Sequence, residues 1–241
     1  MTQQQQDPPK KHHTTRRGTG NAKRRRVSVA RGAVDPPQPS TITYRALDRD
    51  PTQAAAFHFS WTRGSCWNPP KKIQCHVIIN SPAGWERTNI VSVVIPALDS
   101  LQVGTSTVHF HRLVVPQFKA FFKAVEVKGL KGHLLTHVGA YFSRTITGNP
   151  ALLSNHALGT AIDINAFWNG YSQGPAPRGA VGSVAALADF CADFGIYWGG
   201  WYRRTKDAMH FECVDLQSEA TLRAACQTHG VDYDALGLGP P

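Results

Sequence analysis

The segment TAIDIN (160–165) constrains this chain more than any other. In an extended strand its residues alternate, with Ile162 and Ile164 on one face and Ala161, Asp163 and Asn165 on the other. Asp163 thus lies on the polar face, between two isoleucines that favour burial. A buried carboxylate is costly unless something neutralises it. Any fold of this chain must therefore bring a partner to Asp163. A second segment, AMHFEC (208–213), alternates in the same way and predicts Met209, Phe211 and Cys213 inward, with Ala208, His210 and Glu212 opposite.

His156 stands on a predicted turn just before the first strand, and Gly159 lies where the chain must bend to bring His156 back toward Asp163. Two imidazoles (His156, His210) and one carboxylate (Asp163) make a zinc site with an open fourth position, the arrangement that generates a reactive water. Asp207, three residues before His210, reaches the open side of such a site without ligating, as a general base must. Each residue alone also suits a structural role, a hydrogen-bonded strand histidine or a turn aspartate. Two histidines and a carboxylate are also the iron(II) set of oxygenases. Those use His-x-Asp spacing and a many-stranded barrel, whereas six residues separate His156 from Asp163. The five cysteines include no CxxC pair, which argues against a cysteine zinc site. Cys66 and Cys75 can pair in an oxidising compartment, while Cys191 and Cys213 read as core residues.

Residues 1–40 hold nine Lys or Arg against Asp7 and Asp35, so the tail carries +7 of the chain's +10. With almost no aliphatic or aromatic residues it cannot offset its ordering entropy, and it is expected to be a disordered basic tail. Its KRRR cluster suits an anionic envelope surface or nucleic acid; a passive leader is the alternative. Residues 41–94 read as a β-rich extension, with β-like runs at 75–80 and 89–98. It also holds Trp61, Trp67 and Trp85. Residues 95–215 form the expected catalytic domain and 216–241 a C-terminal extension.

Within the domain, Val114, Phe118, Phe121, Phe122 and Val125 make one apolar helix face, with Pro116 in the first turn and Gly129 as the C-terminal cap. HLLTHVGAY (133–141) reads as a buried strand. A second helix is predicted over 183–194, capped by Ser183, striped by Leu187, Phe190, Cys191 and Phe194, and ended by Gly195. The order helix, strand, strand, helix, strand predicts an α+β domain with a small antiparallel sheet flanked by helices. No apolar run approaches the ~20 residues of a membrane span, and MTQQQQDPPKKHH lacks the apolar stretch of a signal peptide. The expectation is a soluble protein that does not announce its own export.

SNHALGTAID (154–163) resembles the Ser-x-His-x-x-Gly-x-Ala-x-Asp signature of the M15 metallopeptidases, the D-alanyl-D-alanine carboxypeptidase and dipeptidase group. FGIYWGGWYRRTKDAMHFE (194–212) is similar to the second signature of its L-alanyl-D-glutamate endopeptidase branch, which includes phage endolysins. That branch carries Asp three residues before the last histidine where related dipeptidases carry Glu, and Asp207 stands there. The resemblance covers roughly 95–213. It implies a hedgehog/D-Ala-D-Ala peptidase-like fold and one catalytic Zn²⁺ on His156, Asp163 and His210. It further implies Asp207 as catalytic acid/base and Arg144, in AYFSRTITG, facing the substrate to hold a carboxylate or the oxyanion. Ser154 is expected to orient the metal-binding turn, Glu212 to support His210 from the same strand face, and Trp198 and Trp201 to wall the cleft or pack in the core.

The implied function is zinc-dependent hydrolysis of peptidoglycan stem peptides, with the L-Ala-D-Glu bond ahead of D-Ala-D-Ala and other stem-peptide bonds. The missing signal peptide fits a phage-type lysis enzyme, another export route, or cytoplasmic recycling of wall peptides. The alternatives are a zinc-containing binding module of the same fold, as in hedgehog signalling domains, and envelope or nucleic-acid binding through the tail. An intact acid/base at Asp207 favours catalysis.

Overall fold

A computed structural model of the chain describes residues 58–62, 78–81, 83–147 and 149–238. The expected basic tail, Trp67, and the Cys66–Cys75 pairing lie outside these residues. Strand β1 (His58–Thr62) pairs antiparallel with β2 (Ile78–Asn80), the end of the first β-like run. Helix α1 (Trp85–Asn89) leads into β3 (Ile90–Val94), which forms an antiparallel ladder with β4 (Thr107–His111) from Ile90 opposite His111 to Val94 opposite Thr107.

A single turn of 3-10 helix, Arg112–Val114, then opens into α2 (Val115–Val127). Pro116 sits in its first turn, where a missing N–H costs nothing. Gly129, at φ +68°, turns the chain out of the helix as expected. The face read from the sequence is the one buried: Val114, Phe118, Phe121, Phe122 and Val125 are all solvent-inaccessible or nearly so. Phe121 lies at the centre of the core, its ring 5.2 Å from Phe122, 5.5 Å from Phe190 and 5.9 Å from Phe211.

The rest of the chain supplies β5 (Thr145–Ile146), β6 (Asn149–Leu153), β7 (Ala161–Asp163), α3 (Ala185–Ala188), β8 (Ile196–Trp198), β9 (His210–Cys213) and α4 (Glu219–Thr228). Strands β7, β9 and β8 form an antiparallel three-stranded sheet with β9 in the middle. The architecture is α+β, with small antiparallel sheets and few helices. Leu222 and Cys226 of α4 join the same core as Phe121 and Phe211. Cys191 and Cys213 are buried there too, as small apolar residues.

Three local expectations need correction. Residues 133–141 form no strand; they meet their neighbours through single bridges, Val103 with Thr136 and His137 with Ile164. The amides of Leu135 and Thr136 donate instead to the side-chain oxygen of Asn165, at 2.9 and 3.0 Å, so a side chain replaces a ladder. The helix expected over 183–194 breaks into α3 and a separate 3-10 turn, Cys191–Phe194, because Phe190 leaves the helical region at φ −137°. Ser183 stands one residue ahead of the N-cap position, held by Val184; its hydroxyl accepts the Ala185 N–H at 3.5 Å and donates to Ala176 O at 3.2 Å. Leu187, Phe190, Cys191 and Phe194 are nonetheless all buried, so the period reported burial correctly without a continuous helix. Finally, β9 has no polar, open face: His210, Phe211, Glu212 and Cys213 are all buried, while Met209 is only half-buried.

Candidate metal centre

The site begins at Ser154, whose hydroxyl accepts the His156 N–H at 3.3 Å and starts a tight 3-10 turn, Asn155–Leu158. Gly159 ends the turn at φ +65°, in the left-handed region. A Cβ there would stand 2.8 Å from the His111 amide nitrogen, and that amide donates to Gly159 O at 2.9 Å. Only glycine lets the turn dock on the end of β4 while reversing into β7. The register of β7 on β9 then sets Asp163 directly opposite His210.

Three side chains separated by up to 54 residues thereby converge. His156 Nε2 lies 3.1 Å from Asp163 Oδ1 and 3.1 Å from His210 Nδ1, and His210 Nδ1 lies 3.0 Å from Asp163 Oδ1. All three residues are buried. His156 Nδ1 faces Ala140 O at 2.7 Å; a carbonyl only accepts, so the ring proton sits there and Nε2 presents its lone pair inward. The donor set suits a metal ion: a tetrahedral cation with bonds of about 2.0–2.1 Å holds its ligand atoms roughly 3.3 Å apart, within a few tenths of an ångström of these separations.

The electrostatics show a cluster in need of positive charge. Burial works to raise the Asp163 pKa, yet the imidazoles of His156 and His210 outweigh it and hold the carboxyl well below its usual range. His210 shows the converse: burial disfavours its charged form, but hydrogen bonds to Asp163 and Glu212 push its pKa well above 6.5. A proton therefore occupies the place where a cation would serve the same carboxylate.

Asp207 stands beside this cluster. Its amide donates to Gly199 O at 3.1 Å, and a Cβ at Gly199 would lie 2.3 Å from Asp207 O, so the loop closes on glycine. Asp207 Oδ1 is buried with no hydrogen-bond partner among the described residues. Burial, reinforced by the charge of Asp163 and opposed by His210 and Arg144, raises its pKa to about 7. An orphaned, half-neutralised carboxyl next to a polar cluster has the properties of an acid/base group. Arg144 is half-buried, donates to Thr145 O at 3.2 Å, and lies near enough to act on Asp207. Tyr171, pushed up by burial and by Asp207 and drawn back by Arg144, belongs to the same neighbourhood.

Tyr171, Asn155 and Tyr202 were not singled out in the sequence. Asn155 and Tyr202 both bond Glu212, from 57 and 10 residues away, and no local spacing signals that. Trp198 is core rather than cleft wall: it is buried, and its Nε1 donates to Ala208 O at 2.6 Å, bracing the segment after Asp207. Trp201 packs against the same core. The surface depression lined by Gly84, Glu86, Arg87, Ile90 and His109 includes none of the converging residues.

Residues 147–213 match the family described as D-alanyl-D-alanine carboxypeptidase, among the M15 peptidases. No curated protein and no solved structure matches the chain. The matched stretch contains His156, Asp163, Asp207 and His210, and it begins just after Arg144. The segment that folds into the buried His–Asp–His cluster is thus the one that matches the M15 peptidase family model.

Proposed function

We propose that the protein is a zinc peptidase of bacterial cell-wall stem peptides, acting on L-Ala-D-Glu or D-Ala-D-Ala bonds, within the fold class of D-Ala-D-Ala peptidases and hedgehog signalling domains. The observation that carries the reading is the convergence of His156 Nε2, Asp163 Oδ1 and His210 Nδ1 within 3.1 Å, beside Asp207, whose buried Oδ1 has no hydrogen-bond partner among the described residues. These three atoms would hold Zn²⁺, whose Lewis acidity would serve to acidify a water and polarise the scissile carbonyl. Asp207 takes the proton from the attacking water and returns it to the leaving amine. Arg144 binds a substrate carboxylate or the developing oxyanion, where a guanidinium's paired donors fit either. The basic residues of the first forty add a means of contact with an anionic envelope or nucleic acid.

The test is zinc content measured alongside digestion of purified peptidoglycan, with and without chelator, and mass spectrometry of the products. Chelator-sensitive release of stem peptides establishes the activity, and the product masses identify the bond. Stoichiometric zinc with no product from any wall type leaves a zinc-containing binding module instead.

A further inference from the structure

We infer that Glu212 is a positioning residue for the metal centre, a buried carboxylate that fixes the orientation of His210 and ties together the chain segments that carry the site. The inference rests on the zinc reading above. Glu212 has no solvent exposure, and the His210 imidazole is a cationic partner within reach of it at 3.4 Å. A buried carboxylate costs several kcal/mol unless its lone pairs are filled. Three groups fill them. Tyr202 Oη donates to Oε1 at 2.7 Å, Asn155 Nδ2 donates to Oε2, and His210 Nε2 lies 3.4 Å from the same Oε2.

Each contact belongs to a different part of the site. Asn155 opens the turn that carries His156 and is its immediate neighbour. His210 lies on β9 with Glu212 itself. Tyr202 follows the Gly199–Trp201 turn, in the loop that continues to Asp207. Glu212 also sits opposite Ala161 in the β7–β9 register, two residues before Asp163. One carboxylate therefore joins the two histidine-bearing segments and the loop of the acid/base residue.

The chemical consequence is at His210. With an ion on Nδ1 beside Asp163, the one proton left on the ring would sit on Nε2, where the Glu212 carboxylate accepts it. Outer partners of this kind raise ligand basicity and remove rotational freedom before the metal arrives. The other imidazole is set by a backbone carbonyl, Ala140 O. The centre thus uses a neutral acceptor behind one histidine and a charged one behind the other.

The experiment uses the full chain and Zn²⁺ itself, titrated in competition with a chromophoric chelator, for the wild type, Glu212→Gln and Tyr202→Phe. Glu212→Gln is expected to weaken zinc binding by about 10- to 100-fold. Tyr202→Phe, which removes only the bond anchoring the carboxylate, is expected to weaken it several-fold, and it carries the test if Glu212→Gln does not fold. Long-range ¹H–¹⁵N NMR of the zinc-loaded wild type is expected to show His210 bound through Nδ1 with Nε2 protonated. Wild-type affinity in both folded variants, or His210 bound through Nε2, overturns the role of Glu212 while leaving the zinc peptidase standing. A wild-type chain that binds no zinc overturns both.

Discussion

At the scale of single residues, the proposed separation between holding a metal and moving a proton is the most testable feature of the site. His156, Asp163 and His210 converge on a common point, whereas Asp207 meets that cluster through its backbone, with His210 N–H donating to Asp207 O at 3.0 Å. Asp207→Asn keeps the shape and removes the ability to take a proton. It is expected to leave zinc stoichiometry unchanged and to lower turnover on wall peptides by about 10²- to 10⁴-fold. Turnover within a few-fold of wild type in a zinc-loaded Asp207→Asn protein removes Asp207 from the mechanism. This part of the site was legible in the sequence because its chemistry is local. The Ile162–Asp163–Ile164 alternation forced a neutralising partner, and Asp207 stands three residues from His210. What stands behind the ligands was less legible. Ala140 O is a backbone atom with no residue-type signature, and Asn155 and Tyr202 reach Glu212 only after the sheet has formed.

At the scale of elements, the sequence read faces better than it read lengths. The helix stripe from Val114 to Val125 and the Gly129 cap were visible because a 3.6-residue period over thirteen residues has no competing explanation. The stripe from Leu187 to Phe194 was equally visible, but burial was satisfied by two short turns, and periodicity cannot report where Phe190 breaks the backbone. Residues 133–141 looked like a strand because they are apolar; their amides found Asn165 instead, a contact set by the loop after β7. These irregular pieces position the site, so their glycines are its most sensitive joints. Gly199→Ala places a methyl 2.3 Å from Asp207 O and must displace the loop carrying that residue. The three ligand side chains lie on the 155–158 turn, β7 and β9, outside that loop. Zinc affinity is therefore expected to stay within a few-fold of wild type while turnover falls about 10²-fold, the cost of displacing a reacting group by roughly 1 Å. Equal losses in affinity and turnover would show that the loop supports the metal as much as the proton transfer.

For the whole molecule, a metal ion on the cluster would act as a cross-link. Among the described residues no helix is long and apolar enough to cross a membrane, and the chain's core gathers α2, the three-stranded sheet and α4 around Phe121. Zinc binding across the 155–158 turn, β7 and β9 would fix segments up to 54 residues apart, so the folded state binds it and the unfolded chain scarcely does. At free zinc 100-fold above the dissociation constant this adds about 2.7 kcal/mol of stability. For a domain of this size that raises the melting temperature by roughly 5–10 °C over the chelated protein. The effect must depend on pH, and its sign follows from His210. Its pKa in the ion-free fold is raised, so it contributes stability to the ion-free chain that is fully present below 6.5 and is lost as pH rises through the folded value. Zinc needs the same nitrogen without its proton, so its affinity rises over the same window. The two trends reinforce each other, and the gap between zinc-loaded and chelated melting temperatures is expected to widen as pH rises from 6.5 through the raised folded value of His210. Calorimetry in buffers of different ionisation enthalpy should show proton release on zinc binding at the lower pH. A gap that is constant across this window, with no proton released, would mean that zinc binds elsewhere than at Asp163 and His210, because no ion can take that position without displacing the proton His210 holds there.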